Sequence, residues 1–298
     1  MENPDMRKEL YPWQPGTEDQ ILVFAPHPDD EVLAAGGLIA TVLESASSLP
    51  LRVVVATNGD ASYATALLQR GHSLSKQNFR RIALNRQQET RSTLAFLGLN
   101  VKQICFWGFP DRGLTPIWQY HWDSLHPYYS PTTGFVRSEQ AMNSPVLPYT
   151  ATNLLSLLEK ELIEFQPTII VMPHPEDAQS DHQMLAHFTL LAVSFLYHES
   201  PAPLPTMLAY MMWRHENPWL TGMRLNDPSL LPEAQNGAKT YYLTLAAAIQ
   251  EKKVLALQCY RSQKFSARQL LKEAAQSTRE YFVQIRPYSI PRYHDVRA

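Results

Sequence analysis

The segment ILVFAPHPDDE, residues 21–31, decides the fold, because a strand-length apolar run leads straight into a histidine and three carboxylates. Residues 32–43 follow with many Ala, Leu, Ile and Val over the length of a helix. The polar cluster therefore occupies a loop between a buried strand and a helix. In open α/β sheets such strand-end loops border the ligand crevice. We interpret this loop as a metal site and not as a turn whose acids merely favour the start of a helix.

A second loop of the same kind follows another predicted strand. Residues 168–172 form an apolar, β-branched run, and PHPEDAQSDH at 173–182 comes directly after it. We predict strands at 21–26, 51–57, 101–107 and 168–173. Helical stretches between the first three strands indicate a Rossmann-like, doubly wound, mostly parallel α/β sheet with helices on both faces and long active-site loops.

The two polar loops together offer a complete ligand set for a metal. A catalytic zinc takes three protein ligands from His, Asp, Glu or Cys and leaves one position open for water. His27, one carboxylate of the Asp29-Asp30 pair and one distal histidine would supply that set. Spacing leaves open which Asp binds the metal and whether His174 or His182 is the distal ligand. An adjacent Asp that does not bind the metal could face the water, which suits hydrolysis.

The rest of the chain fits a single domain, residues 1–298, since 45% apolar content allows a sizeable core. Residues 1–20 form a polar N-terminal extension. Two insertions, 108–150 and 214–239, are too long for simple connections and are predicted to be loops around the site. We predict edge strands at 207–213 and 241–245, and closing helices at 246–257 and 267–282.

Composition excludes several classes of function. The net charge of -2 provides no electrostatic footprint for nucleic acid or an anionic membrane. Residues 1–20 lack the apolar core of a signal peptide, and no segment has the ~20 apolar residues needed to span a bilayer. We therefore expect a cytoplasmic protein with no membrane span. The two cysteines have no metal-type spacing.

Further motifs follow the first loop in a fixed order. They are PHPDDE at 26–31, TNGD at 57–60, Arg86 with Glu89 and Leu97-Gly98, Pro110-Asp111 with Leu114, Asp181-His182, and in the tail YRSQ at 260–263 and EYF at 280–282. Together they resemble the zinc-dependent N-acetylglucosaminyl deacetylases of the PIG-L, or LmbE-like, superfamily, with Pro26 in place of the usual Ala. The resemblance spans residues 20 to 285.

This resemblance implies a role for each residue of the first and last motifs. His27, Asp30 and His182 would bind Zn²⁺, with another divalent metal such as Fe²⁺ as the alternative. Asp29 would be the general base for the metal-bound water, and Asp181 a supporting carboxylate. The reaction implied is removal of an N-acetyl group from an amino sugar or glycoconjugate, with homo-oligomerisation left open.

The chain departs from the family at one catalytic position. Many members carry a His three residues before the zinc-binding His, where it stabilises the oxyanion or protonates the leaving amine; here the residue is Gln179. A Gln amide can donate a hydrogen bond but cannot transfer a proton. The acid step would therefore fall to Asp29, which could return its proton, or to His174.

Two more residues are expected to contact the substrate, Arg86 and Asp111. Arg86 lies on the apolar face of the helix predicted around residues 79–97. Charged residues seldom face a core unpaired. An ion pair with Glu89 at i+3 would explain Arg86 structurally. In the functional interpretation, Arg86 instead reaches the crevice and binds sugar hydroxyls.

Three other functions compete with the deacetylase. Two histidines and one carboxylate also fit the triad of non-haem iron oxygenases, although those enzymes use all-β barrels and strand-helix alternation argues against one here. Gly36-Gly37 could indicate a Rossmann-like binding module, but the pair lies inside the predicted helix and not in the turn. Gln179 keeps open a catalytically inactive relative that only binds sugar.

Overall fold

The computed structural model describes residues 9–45, 49–68, 74–123, 125–198, 200, 202–213, 228, 231–232, 237–264 and 268–288. Within them lies a sheet of eight strands: β1 (Leu10–Pro12), β2 (Ile21–Ala25), β3 (Leu51–Thr57), β4 (Ile104–Phe109), β5 (Ile169–Pro173), β6 (Thr206–Tyr210), β7 (Thr240–Thr244) and β8 (Arg279–Ile285). Their order is β1-β7-β8-β6-β5-β2-β3-β4. Only β8 runs antiparallel to its neighbours in this sheet.

The helices are α1 (Asp30–Glu44), α2 (Tyr63–Leu68), α3 (Lys76–Leu97), α4 (Leu114–Tyr120), α5 (Ala151–Phe165), α6 (Ser180–Tyr197), α7 (Ala247–Leu257) and α8 (Arg268–Gln276). Alternate residues of β2 point to opposite faces of the sheet. Val23 joins a core with α1, α3 and α7, and Phe24 joins another with α5 and α6. Two buried faces confirm the predicted Rossmann-like, doubly wound α/β class.

The centre of the sheet explains where the two polar loops go. β2 pairs with β3 on one side and with β5 on the other, both in parallel. Ile21 lies opposite Ile169, although the two strands are far apart in the sequence. The chain therefore reverses its strand order at β2, and the carboxyl ends of β2 and β5 meet at this switch point. Crevices at such points are where α/β sheets bind ligands.

Three predictions about individual elements were wrong. Residues 267–282 do not form one helix, because α8 ends at Gln276 and REYFVQI at 279–285 is β8, which pairs with β6 and β7. The segments predicted as edge strands, β6 and β7, are internal, because β8 lies between them while β5 borders β6 and β1 borders β7. Residues 101–103 form a 3-10 turn, so β4 starts only at Ile104.

The structure describes most of the first predicted insertion, residues 108–150, and little of the second, residues 214–239. Residues 108 and 109 still belong to β4, so the predicted insertion starts two residues later. Its described part contains α4 and an isolated β-bridge between Arg137 and Pro148. Most of 214–239 lies outside the described residues, as do residues 1–8 of the predicted extension; residues 10–12 of that extension form β1, which pairs with β7. In the described part of the chain, no helix combines the length and the apolar character that crossing a bilayer requires.

Helix α1 is interrupted at Ala35, whose φ of -134° is not helical. The carboxylate of Glu280 in β8 accepts hydrogen bonds from the N–H groups of Gly37 and Leu38, at 2.6 and 2.8 Å. Lys253 of α7 donates to the carbonyl of Leu33 at 3.1 Å and pairs with Glu280 at 2.6 Å. Both charged side chains are fully buried. A buried ion pair therefore satisfies the backbone groups that the interruption leaves open.

Candidate metal centre

The loops after β2 and β5 bring together three side chains that could hold a metal ion. One ligand atom each from His27, Asp30 and His182 lies within 4.8 Å of the others, and all three residues are buried. Asp30 Oδ2 is 3.0 Å from His27 Nδ1 and 3.1 Å from His182 Nε2. Asp30 opens α1 and His182 lies in the first turn of α6, so both helix starts contribute.

The outer nitrogen of each imidazole faces a carboxylate. His27 Nε2 lies 3.1 Å from Asp181 Oδ2, and His182 Nδ1 lies 3.4 Å from Asp177 Oδ2. Metal-binding histidines usually donate their second N–H to a carboxylate. The His27–Asp181 contact is of this kind, whereas His182 and Asp177 lie at ion-pair distance without hydrogen-bond geometry. In a second candidate cluster, one ligand atom each from His27, Asp111 and Asp181 also lies within 4.8 Å of the others. Its two carboxylates both approach the same imidazole nitrogen, His27 Nε2. The chemistry of the first set, two imidazoles and one carboxylate, fits the three protein ligands of a catalytic zinc.

Electrostatics in the cluster also favour a bound cation. Burial works to lower the pKa of His182, but Asp30 and Asp177 outweigh it and raise that pKa to about 9. Burial raises the pKa of Asp30, yet the two histidines hold it well below its usual range. The imidazoles thus carry protons to balance the carboxylates when no metal is bound. A metal ion would replace those protons, so its affinity must depend on pH.

Asp29 stands beside the ligands in an uncommon backbone conformation. Its φ of 113° lies in the region that favours glycine. Glu31 Oε2 accepts from the Asp29 N–H at 3.0 Å, and Glu31 itself accepts a hydrogen bond from the Tyr260 hydroxyl. Burial raises the pKa of Asp29 to about 7, opposed by Arg86 and reinforced by Asp30. Strained residues that their surroundings hold in place are common at functional sites.

Arg86 lies behind Asp29 and not in the open crevice. Its guanidinium donates to Gly59 O at 2.8 Å, Pro28 O at 2.6 Å and Asp29 Oδ1 at 3.1 Å. Glu89 instead accepts from the backbone N–H and hydroxyl of Ser262. The structural partner of Arg86 is therefore Asp29 and not Glu89. Substrate contact by Arg86 stays a prediction, and this geometry favours a positioning role.

Gly59 leaves the space that the Arg86 guanidinium occupies. A Cβ at Gly59 would lie 2.2 Å from Arg86 Nη1, and φ at Gly59 is +58°. We expect Gly59→Ala to displace Arg86 and lower kcat roughly 10- to 100-fold, the scale of a misplaced catalytic group. Steady-state kinetics and a chemical-denaturation curve would measure this.

Gly237→Ala is the matched control for Gly59→Ala. Gly237 has φ of +72° with nothing within 4 Å of an added Cβ. It should show only the backbone cost, about 1–2 kcal/mol, with kcat preserved. Equal kcat in the two variants would contradict a positioning role for Arg86.

Asp181 and Asp111 hold the loop after β4 against the site. Asp181 accepts from the N–H groups of Arg112 at 2.6 Å and Leu114 at 3.2 Å. Asp111 Oδ2 accepts from Ala61 N at 3.1 Å, and its Oδ1 lies 3.5 Å from His27 Nε2. Both oxygens of Asp181 thus accept hydrogen bonds from backbone N–H groups, whereas Asp111 Oδ1 lies beside the His27 imidazole. Both sequence-predicted carboxylates are brought to the site.

Gln179 and His174 differ in how they meet the cluster. Gln179 caps α6 by accepting from the His182 N–H at 2.9 Å, and its Nε2 lies 3.3 Å from His27 Nε2. His174 Nδ1 accepts from the N–H of Glu176 at 3.1 Å. Burial lowers the pKa of His174 to about 4, so its ring is neutral near pH 7. The structure therefore gives His174 no proton to donate as an imidazolium.

Sequence reasoning gave no role to Asp177, Glu31 or Tyr260 at the site. Asp177 also accepts from the N–H groups of Met212 and Trp213, so it ties the His182 loop to the segment after β6. The available sequence signal for Asp177 was its position, as a carboxylate between the end of β5 and the proposed ligand His182. Tyr260, in the tail motif at 260–263, contacts the first loop because its hydroxyl donates a hydrogen bond to Glu31.

The chain is similar to known proteins in both sequence and fold. A family model described as PIG-L, GlcNAc-PI de-N-acetylase, matches residues 22–193. Similar solved structures include N,N'-diacetylchitobiose deacetylase from Pyrococcus horikoshii, at 19% identity over 93% of this chain and 88% of that one, with a TM-score of 0.53. A deacetylase of teicoplanin biosynthesis has 14% identity over 91% and 100% of the chains, with a TM-score of 0.56.

A hydratase shares the same fold. GalB, the 4-carboxy-2-hydroxymuconate hydratase of Pseudomonas putida KT2440, has 16% identity over 92% of this chain and 99% of its own, with a TM-score of 0.55. No curated protein sequence matches the chain. At these identities the structural likeness shows the fold alone.

Proposed function

The chain belongs to the PIG-L family, and on that premise we propose that it is a metal-dependent hydrolase that removes an N-acetyl group from an amino sugar or a glycoconjugate. Zn²⁺ is the metal proposed, held by His27, Asp30 and His182. The observation that carries the proposal is the convergence of these three residues, with Asp29 fixed beside them. Three ligands and a neighbouring base are what hydrolysis at a zinc site requires.

A metal held there would supply a Lewis acid for the amide carbonyl and a water of lowered pKa. Asp29 takes the proton of the attacking water. Its Oδ1 is engaged by Arg86, while Oδ2 has no hydrogen-bond partner among the described residues, so Oδ2 is the oxygen available for that proton. The pKa of Asp29 falls when a cation binds close by, which favours the ionised form that a base needs.

Gln179 would stabilise the negative charge on the carbonyl oxygen. Its Oε1 is fixed by the His182 N–H, which holds the amide plane, and its Nε2 lies 3.3 Å from the outer nitrogen of His27. Fixed N–H donors aimed at a developing oxyanion are a main source of rate in acyl transfer. Asp29 then returns its proton to the leaving amine, because neither Gln179 nor the neutral His174 can supply one. Asp111 Oδ1 faces the same space and would accept from a substrate hydroxyl.

The same geometry bears on the three rival functions, an iron oxygenase, a Rossmann-like binding module and an inactive sugar-binding relative. An iron oxygenase was expected on an all-β barrel, and the α/β sheet gives it no support. The first turn of α1 carries the ligand Asp30, whereas Gly36-Gly37 lie at the interruption of that helix, away from a phosphate-binding turn. An inactive sugar-binding relative keeps the ligands without turnover, so activity separates it from the deacetylase.

Release of a primary amine from N-acetylglucosamine conjugates tests the proposal. We expect amine release that a chelator abolishes and that added Zn²⁺ restores, because the three ligands hold the metal at the amide carbonyl. Metal content should be quantified in each state beside the amine assay. Oxygen consumption with bound iron would favour the oxygenase instead. A zinc-loaded protein inactive on the whole panel would contradict the proposed hydrolysis of these sugars.

A further inference from the structure

Arg112 is an exposed residue attached by its backbone to the candidate metal centre. Its N–H donates to Asp181 Oδ2 at 2.6 Å, and the same oxygen lies 3.1 Å from His27 Nε2. The preceding residue, Asp111, has its Oδ1 3.5 Å from that imidazole nitrogen. The backbone of Arg112 therefore forms part of the wall of the site, while its side chain is open to solvent.

The side chain of Arg112 is held in a defined direction. Its guanidinium carbon lies 5.3 Å from the ring centroid of Tyr63, and Tyr63 packs edge-on against Phe79 at a centroid separation of 5.2 Å. The φ of Arg112 is 63°, in the left-handed region, and the bond to Asp181 stabilises that conformation. A guanidinium that is already positioned loses less freedom when it binds a ligand.

Arg112 also differs from Arg86 in what it can still bind. Arg86 is buried, and its terminal nitrogens are used by Gly59, Pro28 and Asp29. The Arg112 guanidinium, by contrast, makes no hydrogen bond or ion pair with any residue that the structure describes, and stacks only on Tyr63. Arg112 is therefore the arginine at this site that a bound molecule can reach.

The negative charge around the site indicates what the Arg112 guanidinium could bind. Carboxylates line the floor, from Asp29 and Asp30 to Asp111 and Asp181. Arg86, paired with Asp29, and one bound divalent cation would together still leave negative charge on these four carboxylates, so an anionic substituent on a substrate would be repelled unless another cation met it. Guanidinium groups bind carboxylates and phosphates through paired N–H···O bonds.

We propose that Arg112 and the ring of Tyr63 form a subsite for an anionic group, a phosphate or a carboxylate, that the substrate carries beside its N-acetyl group. The inference rests on the proposed function, since it concerns the substrate of the same site. It assigns substrate contact to Arg112 in place of Arg86. The ring of Tyr63 keeps the guanidinium in place and offers an apolar face to the adjoining carbon skeleton.

The test compares substrates that differ only in charge. Zinc-loaded wild-type protein, Arg112→Gln and Arg112→Lys are assayed on N-acetylglucosamine, its 1-phosphate, its 6-phosphate and its uronic acid. Wild type should favour at least one anionic probe over the neutral sugar. Arg112→Gln should lower the anionic-to-neutral ratio of kcat/KM roughly 10- to 100-fold, mainly through KM, the scale of a charge-assisted hydrogen-bond pair. Arg112→Lys should recover part of the loss, because charge remains without the paired geometry.

Arg279→Gln is the matched control for this series. Arg279 is exposed and stacks on Tyr242 at 4.5 Å in the same manner, but it lies in β8, three places from β2 in the sheet. It should leave the ratio unchanged. Equal losses on charged and neutral probes in Arg112→Gln, or a wild type without preference for any anion, would overturn the subsite. The phosphate and uronate probes show which anion it takes.

Calorimetric binding separates failure of the subsite from failure of the proposed function. The dissociation constants of the same probes need no turnover. Anion-dependent binding that Arg112→Gln abolishes upholds the subsite even if no amine is ever released, a result that would count only against the hydrolase. Anion-dependent binding that persists in Arg112→Gln would place the anion on the metal and overturn the inference.

Discussion

Asp29→Asn is expected to lower kcat about 10²- to 10⁴-fold, the usual contribution of a positioned general base, while the protein keeps its metal. The amide has the same shape and can still accept from Arg86, so the loop should stay in place. It cannot take up a proton from water. The cluster of ligand atoms is formed by His27, Asp30 and His182 without Asp29. Kinetics with metal analysis of the purified variant would measure both quantities.

His182→Ala provides the contrast, since it should lose metal and activity together. His187→Ala is its control, because His187 lies in the same helix but stacks on Tyr288, away from the cluster. It should retain the metal. If Asp29→Asn lost as much metal as His182→Ala, Asp29 would be a ligand and the assignment of the two adjacent carboxylates would be wrong.

Lys253→Met should destabilise the fold by about 3–5 kcal/mol, the cost of leaving one partner of a buried ion pair alone. Lys253 and Glu280 are both fully buried, 2.6 Å apart. Methionine fills a similar volume but leaves the Glu280 charge with only N–H donors at the interruption of α1. Denaturant unfolding followed by circular dichroism would measure the change. The double variant Lys253→Met/Glu280→Gln should recover part of the loss, because Gln still accepts from Gly37 or Leu38 without a charge.

The neighbouring residue supplies a matched control for Lys253→Met. Lys252 pairs with Glu44 at 2.8 Å, but both side chains are partly exposed. Exposed pairs contribute about 0–1 kcal/mol, so Lys252→Met should change the free energy of unfolding little. Similar losses in the two single variants would mean that burial of the Lys253–Glu280 pair has no special cost.

The sequence predicted β2 to β7 as strands and missed β1 and β8. Apolar runs at 21–26 and 168–173 are strong local signals, and their polar ends mark the crevice. REYFVQI at 279–285 failed because the preceding helical pattern runs into it without a Gly or Pro to end the helix. What decides this segment is pairing with β6 and β7, a long-range interaction that no local window contains. Tertiary context overrides propensity in such segments.

The candidate site shows the same division between local and distant information. The choice between His174 and His182 needed coordinates, because spacing cannot show that His174 turns its Nδ1 toward Glu176. Arg86 was recognised as unusual, yet its partner Asp29 lies 57 positions away. Asp177 went unassigned since its contact with the His182 ring depends on how the loop folds.

The pairing of β2 with β5 also governs when the proposed metal site can form during folding. His27 and Asp181, which meet at the centre, are separated by 154 positions in the chain, so closing that contact is a slow, non-local step of folding. Collapse and helix formation do not require it. On the proposed function, zinc uptake during refolding should therefore lag behind the recovery of helical signal, and the bound metal would report the moment when the two halves of the sheet join.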